Sequence, residues 1–260
     1  MNNKKEVVPL RTRKGSIYQK GTNETFKISR SKFSNFLDCK RCFYLERVKG
    51  LKDPSMPGWS LNSAVDELLK KEFDEYRKLQ KPHPFIVQNK LKFIPFQHEM
   101  LDTWRENFKG LRVQYNGYDF SGAIDDIWIN KDGELIVVDY KSTASSEPIK
   151  SIDKDYHIGY KRQVEFYQWI LKQLGFKVSP IAAFVYCTGD NTLDEFGGVV
   201  KFHTNLIIHH GNTDWVQGTL DELIKCIEGN EVPESGKDCD QCKYYNTRNN
   251  YLYPFISFDK

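Results

Sequence analysis

The chain has 260 residues, 39% hydrophobic and 28% charged, with a formal net charge of +3. That is apolar material enough for a sizeable core, and no apolar run approaches the ~18 residues of a membrane span. The weak positive balance permits nucleic-acid binding without arguing for it. The start, Met1 to Glu6, has no apolar signal core, so a cytoplasmic setting is expected, with the six cysteines reduced or metal-bound.

Residues 1–27 are polar and basic with little periodicity, which predicts a flexible tail. Ser29 or Ser31 can cap a helix carrying Phe33, Phe36 and Leu37 on one side. That helix runs into Cys39-Lys40-Arg41-Cys42, and a second Cys-x2-Cys pair, Cys239 and Cys242, lies near the C-terminus. Four thiolates make a full shell for Zn²⁺ or for an iron–sulfur cluster, and the long separation predicts a site that ties the two ends of the fold together. Cys187, on an expected strand, and Cys226, on an expected helix, read as buried small hydrophobes.

A loop with Pro54, Pro57 and Gly58 precedes a helix from Ser60, whose residues Ala64, Val65, Leu68, Leu69, Phe73 and Tyr76 have the spacing of a buried face. Asp66 borders that face. Residues 80–110 are loop-rich, with a short helix over about Glu99 to Asn107, and His83 and His98 read as structural or surface residues. Strands over 111–115 and 118–121, joined by Asn116-Gly117, then lead into Gly122 to Lys141.

Here two runs rich in Ile, Val and Trp flank Asn130-Lys131-Asp132-Gly133, a β-hairpin signal. Asn130 suits the first position of a type I turn and Gly133 the left-handed position that closes a three-residue loop. Asn130 then pairs with Glu134, which sets Asp125 opposite Asp139 and puts Lys141 on the face of Asp139. A slip of one residue would substitute Asp126 for Asp125. Two close carboxylates repel unless a cation sits between them. Mg²⁺ takes such oxygen ligands, and a neighbouring lysine can orient water or stabilise charge on a phosphate. This is the chemistry of metal-assisted phosphodiester hydrolysis; the competing reading is an exposed hairpin with an ordinary Asp–Lys pair.

Ser142 to Ser146 form a polar loop that either contacts phosphate or is simply solvated. A helix over Tyr160 to Leu174, stopped by Gly175, places Gln163 and Tyr167 on one face. Apolar strands over Pro180–Cys187 and Val199–His209 follow, His209-His210 being expected as exposed imidazoles at a strand end. A helix capped by Thr213 and an aromatic tail complete the chain. The element order predicts an α/β sandwich with a mixed central sheet flanked by helices.

Gly-x-Ile-Asp, a hairpin, then apolar-apolar-Asp-Tyr-Lys resembles the PD-(D/E)XK (restriction-endonuclease-like) nuclease superfamily, and within it the RecB-like and CRISPR-associated exonuclease branch. The resemblance implies that Asp125 and Asp139 bind the metal, with Tyr140 lending its backbone carbonyl. Lys141 would act on the attacking water, and Gln163 and Tyr167 match a Gln-x3-Tyr motif bordering the site. Asp66 stands where the family has a histidine facing the metal, and would ligate Mg²⁺ or Mn²⁺. Cys39, Cys42, Cys239 and Cys242 resemble the iron–sulfur members' cysteines, which are one early and three late; Arg248 stands at the last of these positions, so the arrangement here is two plus two and either [4Fe-4S] or Zn²⁺ is implied. One nuclease domain over about 28–245 is expected, between the 1–27 tail and an aromatic tail over 246–260. The implied function is a Mg²⁺- or Mn²⁺-dependent deoxyribonuclease of repair, recombination or defence. Its DNA would be single-stranded or carry free ends, its partners helicase, CRISPR or repair proteins, and no membrane is involved. The alternatives are a catalytically silent nucleic-acid- or partner-binding module on the same fold, or a metal-tied scaffold.

Overall fold

The computed structural model describes residues 12–52, 58 and 60–252. Residues 1–11 of the expected basic tail, 253–260 of the aromatic tail, and Pro54 and Pro57 of the expected loop lie outside the described residues. In chain order the elements are β1 (Lys27–Ser29), α1 (Arg30–Asp38), α2 (Lys40–Arg47), α3 (Ser60–Leu79), α4 (Pro84–Gln88), β2 (Phe93–Pro95), α5 (Leu101–Arg105), β3 (Leu111–Tyr115), β4 (Tyr118–Gly122), β5 (Asp126–Asn130), β6 (Leu135–Ser145), α6 (Ile158–Gln173), β7 (Val178–Asp190), β8 (Phe202–His210), α7 (Asp214–Glu228) and α8 (Asp240–Leu252). They fall into two compact units, Pro57–Gln217 and Met1–Met56 with Gly218–Lys260.

The first unit is the expected mixed α/β architecture. Its five-stranded sheet has the order β2-β5-β6-β7-β8. β6 and β7 run parallel and every other neighbour is antiparallel, so α6 is the crossover that a parallel pair requires. Along β6 the side chains alternate between two covered faces. Ile136, Val138 and Tyr140 pack with Phe73 of α3 and Trp128 of β5. Asp139, one residue out of phase, meets Gln163 of α6. The sheet is therefore sandwiched between α3 and α6, which is why β6 and β7 are apolar in continuous runs rather than alternately.

The hairpin takes the register that its turn predicts: Asp126 faces Val138, Trp128 faces Ile136 and Ile129 faces Leu135. Gly133 has φ +74°, and its N–H donates to the Asn130 carbonyl at 3.1 Å. The Asn130 side chain accepts from the amides of Asp132 and Glu134, both at 2.9 Å, which locks the loop.

Three expectations are corrected. Ser142–Ser145 are not a loop but the end of β6, paired with Cys187 to Asp190 of β7; the parallel neighbour supplies the ladder bonds that polar side chains alone do not signal. On α3, Ala64 and Leu68 are exposed, Leu68 at 63%, while Phe73 and Arg77 are buried. Only the later turns of that helix lie on the sheet core, and the first turn lines an open cavity. His209 is not an exposed imidazole: its Nε2 lies 2.8 Å from Glu165 of α6, which also accepts from Trp215 Nε1 at 2.6 Å. His83 is structural as expected, capping α4 and stacked on Phe73.

In the second unit Cys39 ends α1 and caps α2. Phe33, Phe36, Phe43 and Tyr44 are buried, as are Leu220, Leu223 and Ile227 of α7, and the Tyr44 hydroxyl donates to the Gly229 carbonyl at 3.1 Å. Among the described residues no helix is long and apolar enough to cross a membrane.

Candidate active site

Asp139 and Lys141 leave β6 on one face, and an ammonium-to-carboxylate contact joins Lys141 Nζ to Asp139 Oδ2. Gln163 Nε2 of α6 donates to Asp139 Oδ1 at 2.7 Å, so both carboxylate oxygens are engaged and the group is 1% exposed. Asp125 sits one residue before β5, where the hairpin ladder ends. Its Oδ2 accepts from the Tyr140 amide at 2.9 Å, which brings it to the backbone between Asp139 and Lys141. Lys70 of α3 closes the group, with Nζ 2.7 Å from Asp66 Oδ2 and 3.9 Å from Asp125 Oδ1. Burial and the negative charge of Asp125 hold the Asp66 carboxyl above the usual carboxylate range. Lys70 thus links Asp66 of α3 to Asp125 before β5, and Lys141 pairs with Asp139 of β6, so that two ammonium groups serve as counter-ions to three carboxylates. Such hard oxygen donors suit Mg²⁺ or Mn²⁺.

Of the residues expected here, Asp66, Asp125, Asp139, Lys141 and Gln163 are joined in this way. Tyr140 contributes its amide to Asp125, while its side chain turns to the opposite face. The Tyr167 hydroxyl donates to the Ala123 carbonyl at 2.6 Å, fixing the segment two residues before Asp125.

Lys70 and a buried ionic strut beneath the site were not foreseen. Asp126, fully buried, accepts from Arg77 Nη2, from Arg105 Nη2 at 2.9 Å and from the Tyr140 hydroxyl at 2.7 Å. Arg105 also donates to the Asp125 carbonyl at 3.0 Å and grips Asp74 with two bonds of 2.9 Å. Burial and the charge of Asp126 push the Tyr140 hydroxyl far up, so it stays protonated and donates. The strut therefore holds both Asp125 and Tyr140 from below. Replacing Asp126 with Asn leaves two buried guanidinium groups short of a charge, and an unfolding titration should show a loss of about 3 kcal/mol. A loss under 1 kcal/mol would mean that the strut is not part of the framework. The available signal was the doublet Asp125-Asp126 itself: two adjacent acids on a strand entry must face opposite ways, so the second must find buried cations.

In the second unit the cysteine quartet assembles as its spacing suggests. Sγ of Cys42 lies 3.6 Å from that of Cys239 and 3.5 Å from that of Cys242, Cys39 and Cys242 are 3.8 Å apart, and all four sulfurs lie within 4.8 Å of one another. Each pair begins a helix: Cys39 caps α2, and Cys239 directly precedes α8. Burial opposes ionisation of Cys39, but amides of Gly236 (3.2 Å) and Cys42 (3.5 Å) donate to its sulfur and bring it down to about 7. Only glycine fits at 236, because a Cβ would come within 2.6 Å of the Asp38 carbonyl oxygen. Burial and the neighbouring sulfurs push Cys42 up and Cys242 to about 11. Only a cation among the sulfurs would let all four lose their protons at this spacing.

A sheet sandwiched between helices, with acidic side chains and a lysine converging where β5 and β6 meet, defines a nuclease-type α/β core. The family model for the PD-(D/E)XK nuclease superfamily matches residues 59–247, and the chain belongs to that superfamily. It is also similar to a solved structure titled "Crystal structure of SSO0001", at 17% identity and a TM-score of 0.41, over 86% of this chain and 84% of that one. No curated protein matches it.

Proposed function

We propose that the chain is a Mg²⁺- or Mn²⁺-dependent deoxyribonuclease that hydrolyses phosphodiester bonds at the Asp125–Asp139–Lys141 cluster. The observation that carries this reading is the convergence itself: a turn-determined register presents Asp125 to the backbone of Tyr140, between a buried carboxylate and a lysine. Asp125, Asp139 and Asp66 would hold the ion, with the Tyr140 carbonyl as a further oxygen donor. The ion supplies charge stabilisation for the phosphate and lowers the pKa of water. Lys141 orients the attacking water and meets the negative charge developing on phosphate oxygen. Gln163 keeps Asp139 aimed, and Tyr167 anchors the strand entry through Ala123.

The test is degradation of end-labelled linear and closed circular DNA, single- and double-stranded, with Mg²⁺ or Mn²⁺. Cleavage that needs the metal, and that falls by two orders of magnitude or more in a folded Lys141→Ala variant, is expected. Equal cleavage by wild type and variant would overturn the assignment. The circular substrates separate endonuclease from exonuclease action.

For the quartet, the distances support one Zn²⁺ ion. A tetrahedral ion with Zn–S bonds of ~2.3 Å needs sulfur–sulfur edges of about 3.8 Å, close to the 3.5–3.8 Å contacts found here. A [4Fe-4S] cube would seat each thiolate on a different iron and spread the sulfurs across the whole cube. That wider spacing fits the sulfur contacts less well than a single ion does.

A further inference from the structure

A cavity of about 660 Å³ opens beside Lys141. Its apolar walls include Leu61 and Val65 of α3, the Tyr160 ring and Phe202 of β8. Lys141 Nζ stands 4.7 Å from the centroid of the Tyr160 ring, so the cavity and the cluster share a wall. Asn62 Nδ2 donates to the Ser142 carbonyl at 2.7 Å, bonding α3 to β6 across the rim. The space is therefore preformed.

We propose that this cavity receives an unpaired nucleobase of the strand being cut, lying against Phe202 and Tyr160. The proposal rests on the nuclease reading and names the form of nucleic acid which that site accepts. A duplex presents phosphates and sugars outward and keeps its base faces stacked, so it offers nothing to an aromatic-lined recess. An unpaired base has a π-face for the rings and polar edges for amide and hydroxyl groups such as those of Asn62 and Thr143. The volume is in the range of sites that enclose small organic groups. Leu61 is 60% exposed and Val200, also on the wall, 41% exposed, which is apolar surface waiting for an apolar partner. Gly189 of β7 keeps the recess open. A Cβ there would meet Phe202 and Val200 at 3.4 Å, so a methyl is accommodated and a branched side chain fills the space.

The experiment measures binding by fluorescence anisotropy, with Ca²⁺ in place of Mg²⁺. The probes are a labelled oligothymidylate, an abasic deoxyribose-phosphate strand of the same length, and a duplex containing the oligothymidylate. Wild type should bind the oligothymidylate about tenfold more tightly than the abasic strand, and more tightly than the duplex. Phe202→Ala and Gly189→Val, each checked for unchanged thermal unfolding, should erase the difference and leave abasic binding as it was; Phe202→Trp should keep it. Equal affinity for base-bearing and abasic strands, tighter binding of the duplex, or a difference that survives in both variants would overturn the proposal. Failure of the nuclease reading shows up separately, in cleavage assays of Lys141→Ala.

Discussion

Asp125→Asn should lower metal-dependent DNA cleavage by on the order of a thousandfold while leaving the fold intact. The substitution is nearly isosteric, and the amide oxygen of Asn can still accept from the Tyr140 N–H that now reaches Asp125 Oδ2 at 2.9 Å. What it removes is one full negative charge at the place where the divalent ion would sit. That loss also reaches α3. The charge of Asp125 is one of the causes that raise the Asp66 carboxyl, second to burial, so neutralising residue 125 makes Asp66 easier to ionise. Lys70, 3.9 Å from Asp125 Oδ1, is left with Asp66 as its single carboxylate partner in this pair of contacts and should hold it more firmly. The variant should therefore bind Mn²⁺ weakly in calorimetry even though Asp66 and Asp139 remain. Cleavage within tenfold of wild type at saturating metal would remove Asp125 from the site.

The parts of this site that were legible in the sequence are those fixed by local chemistry. Asn130 and Gly133 specify a loop, the loop specifies the pairing, and the pairing brings Asp125 to the end of the ladder, against the backbone beyond Asp139. Gln163 could be placed because helical spacing puts it on the buried stripe of α6, where an amide must find a partner. The strut around Asp126 was not legible. Arg77, Arg105 and Asp74 look like surface charges of two helices until distant strands bury them, and nothing near them in the chain announces their partner. The same long-range dependence turned the polar stretch 142–145 into strand, since its hydrogen bonds come from β7. Periodicity also misassigned Leu68, because it reports which face of a helix is apolar and not how far along its length the sheet extends.

The largest expected effect on stability lies in the cysteine quartet, and it should be local. α8 runs for 13 residues, and Cys242 is its single buried side chain among the described residues. Tyr244 and Tyr245 on the same helix are 62% and 39% exposed. A helix of this length without a packed apolar face is marginal in water, so hydrophobic burial does not explain why α8 is in place. A Zn²⁺ ion at the proposed quartet site would: structural Zn²⁺ binds zinc-finger peptides with an apparent ~10–16 kcal/mol, and that binding is folding free energy. α2 is different, because Phe43 and Tyr44 are buried beside its cysteines. Purified anaerobically, the protein should be colourless and carry about one zinc per chain. Removing the ion with a chelator, or replacing Cys239 with Ser, should speed amide exchange across 240–252 by at least a hundredfold while α2 keeps most of its protection. Iron in place of zinc with a visible absorption band would restore the cluster reading. Unchanged exchange in a metal-free α8 would show that the helix is held by something other than its cysteines.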